Sequence, residues 1–185
     1  INNSGILNLS GTLNKTVSGL GTTRVSDSGL ALVNGAEIKG SLEVNNQTLH
    51  VLATDTNNLF NDVKVNSGTI NLINNNINNL NANSFNINGN VNLLLDADLE
   101  NVSMDRLPST TVANSIISVK GINLLSDSKS EKTYIPFAYD GFKDKVQTNI
   151  TEVGYGVENQ YQTTTCAPIY KYNVSYNPSN GYFLF

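Results

Sequence analysis

The sequence predicts an all-β chain, a right-handed parallel β-helix of about 21 residues per coil with a C-terminal β-rich cap ending in a hairpin. Three observations predict it. Short apolar motifs recur at one period in three separate series. Asparagine and glycine follow those motifs at matching places. All eight tyrosines fall between Tyr134 and Tyr182, so the aromatic content changes abruptly along the chain.

The period comes first, because a repeat of this length decides the architecture. Leu42/Val44, Val63/Val65 and Phe85/Ile87 form one series of doublets. Leu30/Leu32, Leu49/Val51, Ile70/Leu72 and Val91/Leu93 form a second, and the single residues Val17, Ile38, Leu59 and Leu80 a third. Two apolar residues separated by one polar residue share a face of a strand. Three such strands per repeat describe a triangular coil, and stacked coils bury a continuous aliphatic column. The rhythm lacks the hexapeptide unit of left-handed solenoids, which favours the right-handed type.

Corners come next. Asn45-Asn46, Asn66-Ser67-Gly68 and Asn88-Gly89 follow the three doublets of the first series. Both residue types tolerate left-handed backbone, as a repeated sharp corner requires. Stacked asparagines can also hydrogen-bond from coil to coil. Arg24, Glu43 and Lys64 should stand one above another on the outer face, alternating in sign. The period decays after about residue 102, and Leu107-Pro108 breaks it. The chain is therefore expected to divide into coils at 1–125 and an aromatic-rich cap at 126–185. Ile169–Tyr176, a turn at Asn177-Pro178-Ser179-Asn180-Gly181 and Tyr182–Phe185 read as the closing hairpin.

Composition excludes several classes. Charged residues are only 14%, and asparagine supplies roughly one residue in six, a poor mixture for helices. A hydrophobic content of 39% is enough for a narrow core and argues against disorder. The net charge of −4 offers no basic footprint, so no nucleic-acid partner is expected. No apolar run reaches membrane-spanning length, so insertion of this segment into a bilayer is not expected. A single cysteine allows no internal disulfide, and the start at Ile1 reads as a piece of something longer.

The Asn-rich rungs, with Gly121-Ile122-Asn123-Leu124-Leu125-Ser126-Asp127 and Ala167-Pro168-Ile169-Tyr170-Lys171-Tyr172-Asn173-Val174-Ser175-Tyr176, resemble autotransporter-type passengers of uncultured gut bacteria. The resemblance implies a right-handed β-helix exported to the cell surface or beyond. It also implies an outer-membrane barrel elsewhere in the full-length protein, and an autochaperone-like cap that helps the passenger fold. Scarce cysteine is similar to the habit of that family.

Catalytic, cofactor and metal sites are assigned to none of the residues. His50, between inward Leu49 and Val51, reads as a solvated surface residue without catalytic partners. Cys166 has no basic neighbour to activate it. Asp96, Asp98 and Glu100 share an outward parity, with Asp105 following; they read as a solvated face, with calcium as the alternative. Asp140 and Asp144 are weaker candidates still. The leading expectation is a non-catalytic stalk and folding cap. An adhesin contacting host glycans or a second copy of the chain, with the cap tyrosines as anchors, comes second. A polysaccharide-degrading enzyme ranks last, because it would need acids from adjacent coils to converge.

Overall fold

A computed structural model describes residues 1–128, 130–155 and 170–185, and nearly all of its regular structure is β. The first strands are β1 (Ile6–Leu13), β2 (Thr16–Val17) and the long β3 (Thr22–Leu32). Then come β4 (Glu37–Val44), β5 (Gln47–Val51), β6 (Phe60–Val65), β7 (Gly68–Asn71), β8 (Ser84–Ile87) and β9 (Val91–Asp98). They are followed by β10 (Ser103–Met104), β11 (Thr111–Ala113), β12 (Ile117–Ser126) and β13 (Tyr134–Pro136). A 3₁₀ turn at Lys143–Lys145 precedes β14 (Val146–Thr148), β15 (Glu152–Tyr155) and β16 (Tyr170–Asn173). β17 (Ser175–Asn177) and β18 (Tyr182–Leu184) end the chain.

Thirteen strands form one sheet, curled into a half-barrel, in which every pairing is parallel except that of β10 with β9. Alternation along the strands explains why it curls around a core. On one side Leu7, Thr23, Leu42, Val63, Phe85 and Thr111 are successive partners. All but Leu7 are buried. On the other, Leu30, Leu49, Ile70, Leu93 and Val119 are partners and all are buried. β3 belongs to both sides: Thr22–Arg24 pair with β4 and Leu30–Leu32 with β5. Between them Asp27 and Gly29 take positive φ (49° and 98°), which turns the strand through the corner.

The expected first series of doublets is found in register. The second is shifted at one step: Ile70 meets Leu93, not Val91, whose partner is Gly68. Leu72 continues the shifted register, its N–H donating to Leu94 O. The corner explains the shift. Asn88-Gly89-Asn90 is one residue longer than Asn66-Ser67, and β9 starts level with β7, Val91 opposite Gly68, so its inward run begins one inward position before Ile70.

Parallel stacking does not stop at residue 102. β11 pairs with β8, β12 with β9 and β14 with β12. What changes is the length of chain between stacked residues. It is 19 from Arg24 to Glu43, 21 from Asn45 to Asn66, 22 from Asn66 to Asn88, 26 from Asn88 to Asn114 and 29 from Ser118 to Gln147. The additions are connections, such as the excursion through β10, so the apolar period fades while the ladder persists.

At the C-terminal end aromatics replace aliphatics. Phe137 meets Phe183 at 5.4 Å and Phe142 at 6.0 Å between ring centroids, edge to face. These side chains are fully buried and join the same core as the parallel sheet. β13, β18 and β17 form a small antiparallel sheet over them. The expected hairpin is present as β17–β18, closed by Gly181 N–H to Asn177 O at 2.9 Å. Its first strand is shorter than expected: the chain changes sheet at Val174, and β16 pairs with β15 instead. Ile169 and the preceding Ala167-Pro168 lie outside the described residues.

Candidate functional site

The acidic residues in and after β9 are the first to test, and the solvated face expected of them is found only at Glu100 and partly at Asp98. Leu93, Leu95, Ala97 and Leu99 are buried as the alternation requires, yet Asp96 and Asp105 are also 0% exposed. The reason is a cover that the alternation could not reveal. The asparagine-rich loop at 74–76 folds over the outer side of β9, and its three consecutive N–H groups converge on Asp96 Oδ2 at 2.8, 2.8 and 3.3 Å. Asn75 takes φ 62°, the left-handed step that lets successive amides point at one anion.

Asp105 closes the cluster from behind. Its Oδ2 accepts the Asp96 N–H at 2.6 Å and its Oδ1 the Asn78 N–H at 2.7 Å. Burial pushes the Asp105 carboxyl up to about 8, against the two N–H bonds, and the neighbouring Asp96 adds to the rise. Burial also raises Asp96. Asn123 Nδ2 donates to Asp96 Oδ1 at 2.5 Å and to Asn75 Oδ1 at 3.3 Å, which leaves Asn123 Oδ1 buried without a partner among the described residues. The carboxylates are thus turned to N–H donors, with no exposed surface for a substrate to reach. Chemically the arrangement fastens a loop to a strand. Asp98 is half-buried: burial raises its carboxyl, but bonds from Asn101 and Ser126 hold it below the usual range. Glu100 is exposed.

Sequence reasoning missed Asn78 and Asn123, both 1% exposed, as members of this cluster. The run Asn74-Asn75-Asn76 was the one available signal.

Other singled-out residues stay apart. His50 is half-buried, its Nδ1 3.3 Å from Asn71 Nδ2 in the neighbouring strand. Asp140 accepts from Lys143 Nζ at 2.7 Å, and Asp144 lies 3.0 Å from Lys145. Cys166 lies outside the described residues. Among the described residues no three His, Cys, Asp or Glu side chains gather as metal ligands, and no helix is long and apolar enough to cross a membrane.

The outer face of β4, β6 and β8 carries the most regular polar surface. Arg24, Glu43 and Lys64 stack in register as expected, and Arg24 Nε reaches Glu43 Oε2 at 2.7 Å. The Arg24 hydrogen bond holds the Glu43 carboxyl below the usual range. At the corner Asn66 Nδ2 donates to Asn45 Oδ1 at 2.6 Å, Asn88 to Asn66 at 3.3 Å and Asn114 to Asn88 at 3.3 Å, so four amides form one ladder. A second step joins Asn83 to Asn61. Two open clefts lie on this face. One, of about 530 Å³, is bordered by Lys39, Asn58, Asn61 and Asn83; the other, of about 410 Å³, by Ser41, Asp62, Lys64 and Asn86. Asn61 Nδ2 of the first cleft donates to Asp62 Oδ2 of the second at 3.1 Å, so the two clefts lie side by side as the two halves of a trough.

The cap tyrosines divide by environment. Tyr139, Tyr155, Tyr172 and Tyr176 pack against the core, whereas Tyr134, Tyr170 and Tyr182 are exposed. Tyr161 lies outside the described residues. Compared with known proteins, the chain matches no family model, no curated protein and no solved structure.

Proposed function

We propose that this chain is a non-catalytic stalk and folding cap from a secreted or surface-displayed bacterial passenger protein, built as a right-handed parallel β-helix and closed by its aromatic end. The observation that carries the reading is the chain of parallel strand pairings that links β1 to β14 through one sheet, which runs into a terminus filled with interlocked aromatic rings. Such a column gains stability from each neighbouring pair of rungs, and it needs an atypical last unit to protect its open edge. Polar ladders of asparagine fix the register from outside, while the acids that could have formed a catalytic pair are spent on holding a loop. In the full-length protein an outer-membrane barrel would anchor the passenger at the cell exterior.

The test is display. Joined to an outer-membrane barrel in a Gram-negative host, the whole chain is expected on the cell surface and resistant to added protease. Removal of residues 126–185 is expected to leave a passenger that protease degrades. Equal resistance with and without those residues would contradict the folding role of the cap.

A second reading, adhesion through the outer face, is favoured by the polar trough along β4, β6 and β8 and by the exposed Tyr134, Tyr170 and Tyr182. Host glycans or a second copy of the chain are the partners it would take.

A further inference from the structure

We propose that the trough on the outer face of β4, β6 and β8 is a binding site for an uncharged polysaccharide chain lying along the strands. The inference rests on the adhesive reading above and gives it a place and a ligand class.

Size is the first consideration. Each half of the trough, at about 530 and 410 Å³, falls within the range of ligand-binding clefts, roughly 300–1,000 Å³. The halves meet where Asn61 passes to Asp62 and Asn83 to Ser84, so the whole suits an extended polymer better than a compact molecule.

Lining chemistry decides the class. The trough presents amides, hydroxyls and a few charges beside a similar share of apolar surface, with Ile38, Leu42, Phe60 and Val63 among its lining residues and Leu20 (89% exposed) at one rim. That mixture suits a sugar ring, which offers hydroxyls at its edge and C–H groups on its faces. Each asparagine amide offers two N–H donors and a carbonyl acceptor in one plane, which matches the paired hydroxyls of a sugar ring. Some of that capacity is used internally, as in the step from Asn83 to Asn61 and in Ser84 Oγ to Asp62 Oδ1 at 2.7 Å. The amides of Asn58 and Asn86 border the trough and have no hydrogen-bond partner among the described residues.

Charge decides the rest. Lys39 lies 3.5 Å from Glu37, and the Arg24 guanidinium is engaged by Glu43 at 2.7 Å. Lys64 stands beside Glu43 in register. The lining sets Glu37, Glu43 and Asp62 against Lys39 and Lys64, and it contains no arginine fork for sulfate, phosphate or uronate. A trough without net positive charge has nothing to draw an anionic glycan or nucleic acid, and a neutral polysaccharide is the remaining polar polymer.

Affinity electrophoresis of the whole chain through gels containing mannan, xylan, mixed-linkage β-glucan or polygalacturonate tests the assignment. Retardation by a neutral glycan is expected. The double variant Asn58→Ala with Asn86→Ala, which breaks no internal bond, is expected to keep the wild-type melting temperature and bind about tenfold more weakly. The pair Tyr134→Ser with Tyr182→Ser is expected to bind as wild type. Loss of binding in the tyrosine variant alone would overturn the trough and leave the adhesive reading standing. Retardation by polygalacturonate alone would overturn the uncharged ligand class. Absence of retardation in every gel would overturn both the trough and glycan adhesion. Concentration-dependent mass in light scattering, abolished by the asparagine variant, would make a second copy the occupant.

Discussion

Gly89 shows how little space separates neighbouring strands at a corner. A Cβ built there would lie 1.7 Å from Asn66 O, a backbone atom that cannot move without breaking the ladder. Gly89→Ala is accordingly expected to cost about 1–3 kcal/mol, the range of overpacking in a rigid site. Gly5→Ala, where the new Cβ meets nothing within 4 Å, is expected to change stability by less than about 0.5 kcal/mol. Chemical denaturation of the two variants checks the contrast, and equal costs would contradict it. Asp105 makes the other residue-scale prediction. Its carboxyl titrates at about 8 in the folded chain against about 3.9 when unfolded. Between those values the folded state holds a proton that the unfolded state has lost. Its contribution to stability is therefore full below about pH 4 and declines as pH rises towards 8, by at most about 1.4 kcal/mol per pH unit. Asp96, raised by burial and facing Asp105, acts in the same sense. The depressed carboxyls of Glu43, Asp98, Asp140 and Asp144 change protonation below that window. Melting of the wild-type chain is expected at lower temperature at pH 8.5 than at pH 5, and Asp105→Asn is expected to flatten the difference. A melting temperature that rises with pH would contradict the buried carboxyl.

At the scale of elements, the register between β7 and β9 separates two alignments that the residues alone could not. Apolar pairs at Ile70/Leu72 and Val91/Leu93 align equally well by pattern, but the parallel ladder places Thr69 against Asn92. Partner Cα atoms on adjacent strands sit about 4.8 Å apart, within reach of a disulfide. In a Cys166→Ser background, Thr69→Cys with Asn92→Cys is expected to cross-link on oxidation, while Asn71→Cys with Asn92→Cys is expected to stay reduced. The reverse outcome would restore the register read from the pattern. Alternation identified inward residues such as Leu42, Val63 and Phe85 because each strand there has one buried face and one exposed face. It failed at Asp96, where a loop distant in sequence covers the outer face as well. It also failed at Thr23 and Thr111, polar residues that fill inward positions while 1% exposed. Corners were readable from asparagine and glycine: Asn46 and Gly68 take the left-handed backbone expected, while Gly89 does not and is required instead by close approach to Asn66 O. The lengths of the connections were not readable, because surface loops absorb extra residues at little cost. Of the outer face, the Arg24–Glu43–Lys64 stack could be read, while the trough depends on how strand ends curl.

For the whole molecule, the two ends of the sheet differ. Around β1, Ile1 and Ile6 are 60% and 62% exposed, and Leu7 and Leu9 are only partly buried. At the other end Phe137, Phe142 and Phe183 are 0% exposed. If the stack is closed at one end by an aromatic cap and each rung depends on its neighbours, damage to the cap should spread from that end. Phe183→Ala, which removes the ring between Phe137 and Tyr176, is expected to destabilise its surroundings by about 3–5 kcal/mol. Native-state hydrogen exchange of this variant tests the architecture most directly. The expected result is protection lost first in β14, β12 and β11, with β3, β4 and β6 retaining wild-type protection. Uniform loss across all strands would contradict a stack of neighbour-dependent rungs, and unchanged protection in β14 and β12 would contradict the closing role of the cap.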